Sequence, residues 1–471
     1  MKMQDIQLDF NFCRPLDFQK NIEIPIINNL FKNILRHQDS LTQKHLKFLL
    51  IELFCCWNES ENQFLAVSMS KRGYRARSRY NPNMISSHSI KAINYLRKNE
   101  FLEFFPGFYD ASKKISRLTR IRASKVLKEE FKKLDINTYE ILNLKKRENL
   151  LLLDSNEKLL EYDDDFFTHE MRDVLRNYNA TMLKTFFDIP SLSQSFLIRG
   201  DNAKIIISQM CTLNKRVYEQ NWKQGGSFFG SWWNKLDLKN INDFSNHMLI
   251  NDSETGHVDL SYLFPTIFSQ KIGININTLE SELNMIRKRI SFLKSYSQLY
   301  YIIIKAVNSG DSKGFYRSFC IDKKKLGIDE KVTYKQFEDV LLNLQKFTPK
   351  LYQCFFSKLN FNWNSILSDI FYGLMQNVGT SNIPIIKVMD KIFYPTKVQN
   401  NVINYLYDFI SKFINCEKFE LKLNKCSAYD FGQKSSIFDS LIGNNLVYSK
   451  RFLENKRKFK VLLKKNNLFH N

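Results

Sequence analysis

Helix-breaking residues are scarce in this chain: 9 Pro and 15 Gly among 471 residues, beside 40 Phe and 21 Tyr. That balance excludes a disordered polymer and points to a helix-rich globular protein. The eight cysteines never form a CxxC pair, and only Cys55 and Cys56 are adjacent. Neither a zinc pattern nor a disulfide framework fits that spacing, so reduced thiols are expected. No apolar run reaches the ~18 to 20 residues of a membrane span. The first residues, MKMQDIQLDF, lack the apolar core of a signal peptide. Repeats and low-complexity tracts are missing as well. These absences predict a soluble, cytoplasmic protein with no membrane partner.

What the chain has in excess is positive charge, +22 overall. A surface that basic attracts polyanions, most often nucleic acid. The charge is concentrated: residues 71–147 carry twenty Lys or Arg against seven acids. Within that stretch the pattern is ordered. Residues 42–57 have helical periodicity through Leu46, Leu49, Leu50, Leu53 and Phe54. FLAVSMS reads as a strand and KRGYRARSRYNPN as a basic loop. Ser86 or Ser87 caps a helix with Ile90, Ile93 and Leu96 on one face, ended by Asn99. FLEFF, the Pro106-Gly107 turn and KISRLTRIRAS make a hairpin with basic residues on its returning strand, and residues 123–134 form a closing helix. Helix, helix, hairpin is the grammar of a winged helix-turn-helix. DNA is the partner it implies. Arg75, Arg77 and Arg79 of the loop, Lys91, Arg97 and Lys98 of the helix, and Arg117, Arg120 and Arg122 of the wing are the candidate contacts.

At 471 residues more than one core is expected. Residues 1–149 read as the winged-helix domain with an N-terminal extension. Residues 150–173 reverse the charge and read as an acidic, solvated connector, with Asp163-Asp164-Asp165 lacking metal-ligand spacing. Residues 174–471 read as an α+β domain. Its elements are helix over 170–187 and 202–218, a Gly-rich turn over 222–234 and strands over 257–262 and 384–394. Long helices are expected over 278–308 and 333–378, with more helix over 397–415.

Two carboxylates stand out in that second domain. Asp259 lies inside the apolar run HVDLSYLFP, and Asp390 sits at the tip of IIKVMDKIFYP, 131 residues later. A carboxylate in an apolar strand is costly unless a metal, a cation or a hydrogen-bond network receives it. A pair of them on two strands is what two-metal phosphoryl transfer needs, with Mg²⁺ the fitting ion. Capping or bridging within a core is the other use of Asp259. His257 suits a hydrogen bond better than a metal, having no Cys or second His nearby. Trp232 and Trp233 suit a core or domain interface better than base stacking.

The order of these motifs resembles the palm of family A DNA polymerases, whose first motif reads roughly DYSxxE and whose last reads VHDE. It resembles still more a group of bacterial and phage-borne winged-helix proteins with a GGRFYGGWWQ-like turn, a DYSxLHP-like motif and a VHDS-like motif. The resemblance spans about residues 65–410. It implies that Asp259 and Asp390 are the metal-binding aspartates and that Gly225, Gly226, Phe228, Gly230, Trp232 and Trp233 belong to a turn near the primer-template. The departures are specific. Ser227 replaces the turn Arg, Leu260 the motif Tyr, Phe264 its His and Met389 the last His, and Lys391 follows Asp390. Tyr301 falls where a helix Lys meets the triphosphate; Lys305, one turn later, is the substitute carried forward, with Arg287 and Lys288 as others. The function expected is DNA binding with a polymerase-like nucleotidyltransferase site in replication of a mobile element or phage. The alternatives are a non-catalytic initiator or regulator, and a factor that uses its basic face on RNA.

Overall fold

A computed structural model describes residues 8–36, 38–136, 138–142, 144–223, 225–237, 240, 248–251, 253–290, 296–323, 328, 331–414, 421–425 and 448–465. It is α+β, with several small sheets. No helix among the described residues is long and apolar enough to cross a membrane.

The first core draws its residues from Ile22 to Ile141. Strand β1 (Cys13–Pro15) runs parallel to β2 (Phe64–Val67). Helix α1 (Ser40–Glu59) separates them, begun by the Asp39 carboxylate accepting from Thr42 N. Helix α2 (Ser89–Lys98) presents Ala92, Ile93 and Leu96 inward and ends at Asn99. Strands β3 (Leu102–Phe105), β4 (Phe108–Asp110), β5 (Ile115–Arg117) and β6 (Thr119–Ala123) follow, then α3 (Lys125–Phe131), capped by Ser124. The sheet order is β1-β2-β6-β3, and β4-β5 forms a separate ribbon beyond it. The expected returning strand is thus broken at Leu118 into β5 and β6. Gly107 lets the ribbon bend, because a Cβ there would lie 2.4 Å from Arg117 O.

The second core runs from Leu150 to Leu421. Its first strand, β7 (Leu150–Leu153), comes from the stretch read as solvated connector. Helix α4 (Phe166–Leu183) opens with a capping box between Asp165 and Thr168. Strands β8 (Phe187–Asp188), β9 (Phe196–Ile198), β10 (Lys204–Ile206), β11 (Lys215–Glu219) and β12 (Gly225–Phe229) follow. The helix expected over 202–218 is therefore strand: β11 is paired on one side by β7, in parallel, and on the other by β12. Strands β13 (Leu249–Ile250) and β14 (Ser253–Asp259) lead into α5 (Phe264–Ile272). The long helices are divided into α6 (Ile276–Arg289), α7 (Tyr296–Asn308), α8 (Ser312–Asp322), α9 (Tyr334–Phe347) and α10 (Trp363–Val378). Strands β15 (Ile386–Val388) and β16 (Lys391–Pro395) precede α11 (Gln399–Ile414). Strand β17 (Lys422–Lys425) pairs with β14, and α12 (Lys450–Lys465) docks through Phe452 and Phe459 onto Phe186.

Buried ion pairs tie the first core and link it to the second. Glu52, fully buried, takes Lys20 Nζ at 2.5 Å and Arg14 at 3.2 Å. Asp17 is bound by Arg147 at 2.9 Å. Burial pushes its carboxyl up, but Arg147, Lys20 and Lys215 overcome that and hold it well below the usual range. Glu148 bridges Arg79 and Arg172 at 3.6 and 3.2 Å, and Asp164 holds the same two arginines at 2.9 and 2.7 Å. Asp164 and Asp165 are thus a latch and a helix cap.

Candidate functional site

Strand β14 ends at Asp259 because that carboxylate turns back to cap the next turn. Asp259 Oδ1 accepts from Ser261 N at 2.9 Å and from Ser261 Oγ at 2.5 Å, starting a 3-10 turn over Leu260–Leu263. The strand expected over 257–262 is therefore 253–259. The strand expected over 384–394 is a hairpin, β15 and β16 joined by Met389-Asp390, with Met389 at φ 52°. β16 lies antiparallel to β14, with Asp259 opposite Lys391 and His257 opposite Phe393. Leu260 N donates to Asp390 O at 2.8 Å. The two aspartates, far apart in sequence, thus stand at the ends of neighbouring strands.

Their surroundings differ. Asp259 is half-buried, and among the described residues its Oδ2 receives no protein hydrogen bond. Asp390 is buried, with 7% of its surface exposed. Lys387, two residues into the hairpin, is brought down to about 8 by burial, an effect the Asp390 charge opposes. Lys391 shares a sheet face with Asp259 and His257, since cross-strand partners project to the same side. Burial lowers His257 to about 3, and the Lys391 cation adds to the shift. His257 is a neutral ring 5.1 Å from Phe393. Two carboxylates suit an oxygen-seeking cation such as Mg²⁺. No group of three or more His, Cys, Asp or Glu that could hold a metal occurs among the described residues.

Buried neutral, His257 has a pH consequence. Its folded pKa lies below the unfolded value near 6.5, so the unfolded chain binds more protons between about pH 6.5 and 3. Stability from this residue is complete above that window and falls as pH drops through it. His257→Gln should flatten the acid side of a Tm-against-pH curve; an unchanged slope between pH 6.5 and 4 would show that His257 contributes nothing to it.

Lys305 stands elsewhere. It pairs with Asp322 of α8 at 3.4 Å, and Tyr301 donates to the same carboxylate. Arg287, from the end of α6, lies 4.4 Å over Tyr296. Tyr296 neighbours Tyr300 and Tyr262 at 5.7 and 6.4 Å. Tyr300 stacks on Phe264 at 4.2 Å; burial raises its phenol, and the neighbouring Tyr296, Tyr262 and Asp259 charges add to this. The cation on the aromatic cluster beside Asp259 is therefore Arg287.

The Gly-rich segment is a strand. Gly225 O accepts from Ser365 Oγ at 2.6 Å and Gly226 O from Arg216 Nε at 3.0 Å. Both glycines have positive φ, 91° and 79°, and a Cβ on Gly226 would lie 3.1 Å from the Arg216 guanidinium. Arg216 in turn pairs with Asp369 of α10. These contacts account for both glycines as packing residues. Trp232 and Trp233 are fully buried, Trp232 stacked on Phe187 at 4.7 Å, as a core reading expects.

The basic candidates divide into inward and outward groups. Arg79 is taken by Glu148, Asp164 and the Tyr162 ring, 3.6 Å away. Arg75 donates to Leu159 O at 3.0 Å. Arg120 is 9% exposed and donates to Phe10 O and Leu118 O. Arg122 pairs with Glu103 at 2.7 Å. The heads of Arg79, Arg120 and Arg122 are engaged within the fold. Arg77 and Lys98 are exposed without an ion pair among the described residues. Lys91 makes an exposed pair with Asp39 at 3.0 Å. Arg97 lies over Phe104 at 4.3 Å, and Arg117 over Phe10 at 4.1 Å. The β4-β5 ribbon adds Tyr109, 74% exposed, and exposed Lys113 and Lys114, which the sequence reasoning did not single out.

No protein-family model matches the chain, and no curated protein matches it.

Proposed function

We propose that this is a nucleic-acid-binding protein whose Asp259 and Asp390 form a polymerase-palm-like carboxylate pair for Mg²⁺-dependent nucleotidyl transfer. The observation that carries the reading is the 2.8 Å hydrogen bond from Leu260 N to Asp390 O, which puts two segments 131 residues apart at one sheet end. Mg²⁺ held there by Asp259 Oδ2 and Asp390 would activate the attacking oxygen and stabilise the leaving one. Arg287, stacked at the aromatic cluster, is better placed than Lys305 to offset phosphate charge. The N-terminal unit supports DNA as partner: helix α1, helix α2 and a β3-β6 hairpin give it winged-helix order, with Arg77, Lys98 and the β4-β5 ribbon facing solvent. Replication of a mobile element or phage is the process the motif resemblance suggests.

The test is extension of a primed template with Mg²⁺ or Mn²⁺, wild type beside Asp259→Ala/Asp390→Ala. The expected result is incorporation by wild type alone. No incorporation by either, with DNA binding intact, ends the catalytic reading and leaves a second one, a non-catalytic initiator or regulator. That second reading has its own support: Lys391 stands opposite Asp259, where a cation disfavours a metal.

A further inference from the structure

The sequence motifs draw attention to residues 71–147, yet the most basic helix among the described residues is α12. Its sixteen residues, Lys450–Lys465, hold eight Lys or Arg and one Glu. This helix forms one wall of a cleft of about 570 Å³. The end of α1 and the end of α3 form the second wall, and the segment around β8 and Gln209 the floor. Both cores therefore contribute to it. The size is that of a small-ligand site.

Three features of the cleft point to one chemistry. Trp57, half-buried, lines it together with Phe131 and Phe459. Gln209 Oε1 is buried in its lining and accepts no hydrogen bond among the described residues. A buried acceptor left unmatched forfeits its hydration without replacement, so a donor brought in by a ligand is favoured there. At the rim, Arg457 is exposed and has no carboxylate within 4.0 Å among the described residues. Lys458 and Lys132 have only exposed pairs within their own helices, with Glu454 and Glu129. Such pairs are weak and exchange readily for a phosphate. Arg451, by contrast, is fixed by Asp188 at 2.6 Å and anchors the helix. The lining also holds Glu59, Asp135 and Asp188, each paired with a cation (Arg14, Lys465 and Arg451). An aromatic lining, one unmatched acceptor and a rim with basic residues in excess together fit a planar base bearing N–H and its phosphate.

We propose that the cleft between α12 and the ends of α1 and α3 binds a nucleotide unit, the base against Trp57 and Gln209 and the phosphate on Arg457 and Lys458. The unit is either a free nucleotide or one residue of a single strand. The site is separate from the carboxylate pair and does not depend on it.

The full-length protein would be titrated with a fluorescein-labelled oligodeoxythymidylate, whose thymine N3–H is a donor, and separately with dTMP. Trp57 fluorescence and oligonucleotide anisotropy would be read together, with Trp57→Phe identifying the signal. Saturable quenching by the oligonucleotide alone assigns the site to a single strand, and by both to a nucleotide. Arg457→Ala/Lys458→Ala should weaken binding at least about tenfold and lower the salt slope by about 0.7, one phosphate neutralised on a single strand. Gln209→Leu should weaken binding several-fold at an unchanged slope. Inorganic polyphosphate or polyglutamate that quenches Trp57 equally well would overturn the base site in favour of a simple polyanion surface. Anisotropy binding with no Trp57 response and an unchanged slope in the double variant would overturn the cleft while leaving the N-terminal nucleic-acid reading in place. No binding by any readout would overturn both.

Discussion

Glu52→Ala should destabilise the protein by about 3–5 kcal/mol, the cost of leaving a buried charge without its partner. Glu52 is completely buried, and its two oxygens take Lys20 Nζ, Arg14 Nη2 and Asp17 N. Lys20 is itself only 2% exposed. With Glu52 gone, the nearest carboxylate to its ammonium is Asp17, at 3.8 Å and already bound to Arg147. The expected readout is a fall in Tm on the order of 10 °C and a lower denaturant midpoint. Lys20→Met/Glu52→Met should recover part of the loss, because apolar side chains remove that pair of charges together while Arg14 keeps only the Glu59 carboxylate, at 3.8 Å. A single-variant loss under about 1 kcal/mol would mean that water reaches Lys20 and that the pair is not desolvated. The acid dependence has a defined sign. Asp17, with its folded pKa depressed, contributes stability that is complete above the unfolded value near 4 and is lost as pH falls below it.

Much of the architecture was legible locally. The helix read over 42–57, which runs 40–59, and the Asn99 helix end follow from periodicity and capping chemistry, which act within one turn; the Ser86 or Ser87 cap does not hold, since His88 stands at that end and makes no side-chain capping bond. What was not legible depends on partners far away in sequence. Residues 202–218 become strand because β7 supplies an edge for β11. Arg79 and Arg120 look like phosphate contacts in a basic run. Their real partners lie 83 and 110 residues away, at Tyr162 O and Phe10 O. The same holds for Lys305, whose spacing suggested a phosphate cation and whose carboxylate is Asp322. A signal for α12 was present all along, since KRFLENKRKFKVLLKK holds eight Lys or Arg in sixteen residues against one Glu, on a helical apolar period. Asp259 and Asp390 were legible as odd charges in apolar runs; their register opposite Lys391 and Leu260 comes only from the sheet.

Lys391→Ser should tighten Mn²⁺ binding at the carboxylate pair by roughly tenfold to a hundredfold. The register puts Lys391 directly across from Asp259, and cross-strand side chains on one face start only about 5 Å apart. A unit charge near a divalent ion at that range costs on the order of 1–3 kcal/mol at an effective dielectric near 20, after discount for a flexible, half-solvated stem. No carboxylate lies within 4.0 Å of the Lys391 ammonium among the described residues, so its removal strands no partner. The substitution also relieves His257, whose depressed pKa draws partly on that cation. Two readouts separate a metal effect from a structural one. Calorimetric Mn²⁺ titration should show the gain in Lys391→Ser and lose it in Lys391→Ser/Asp259→Asn. Primer extension should rise in parallel if the pair is a working palm, and stay absent if the pair binds metal without chemistry. A Mn²⁺ affinity unchanged within twofold would place the ammonium away from Asp259 and remove the main physical objection to an active site.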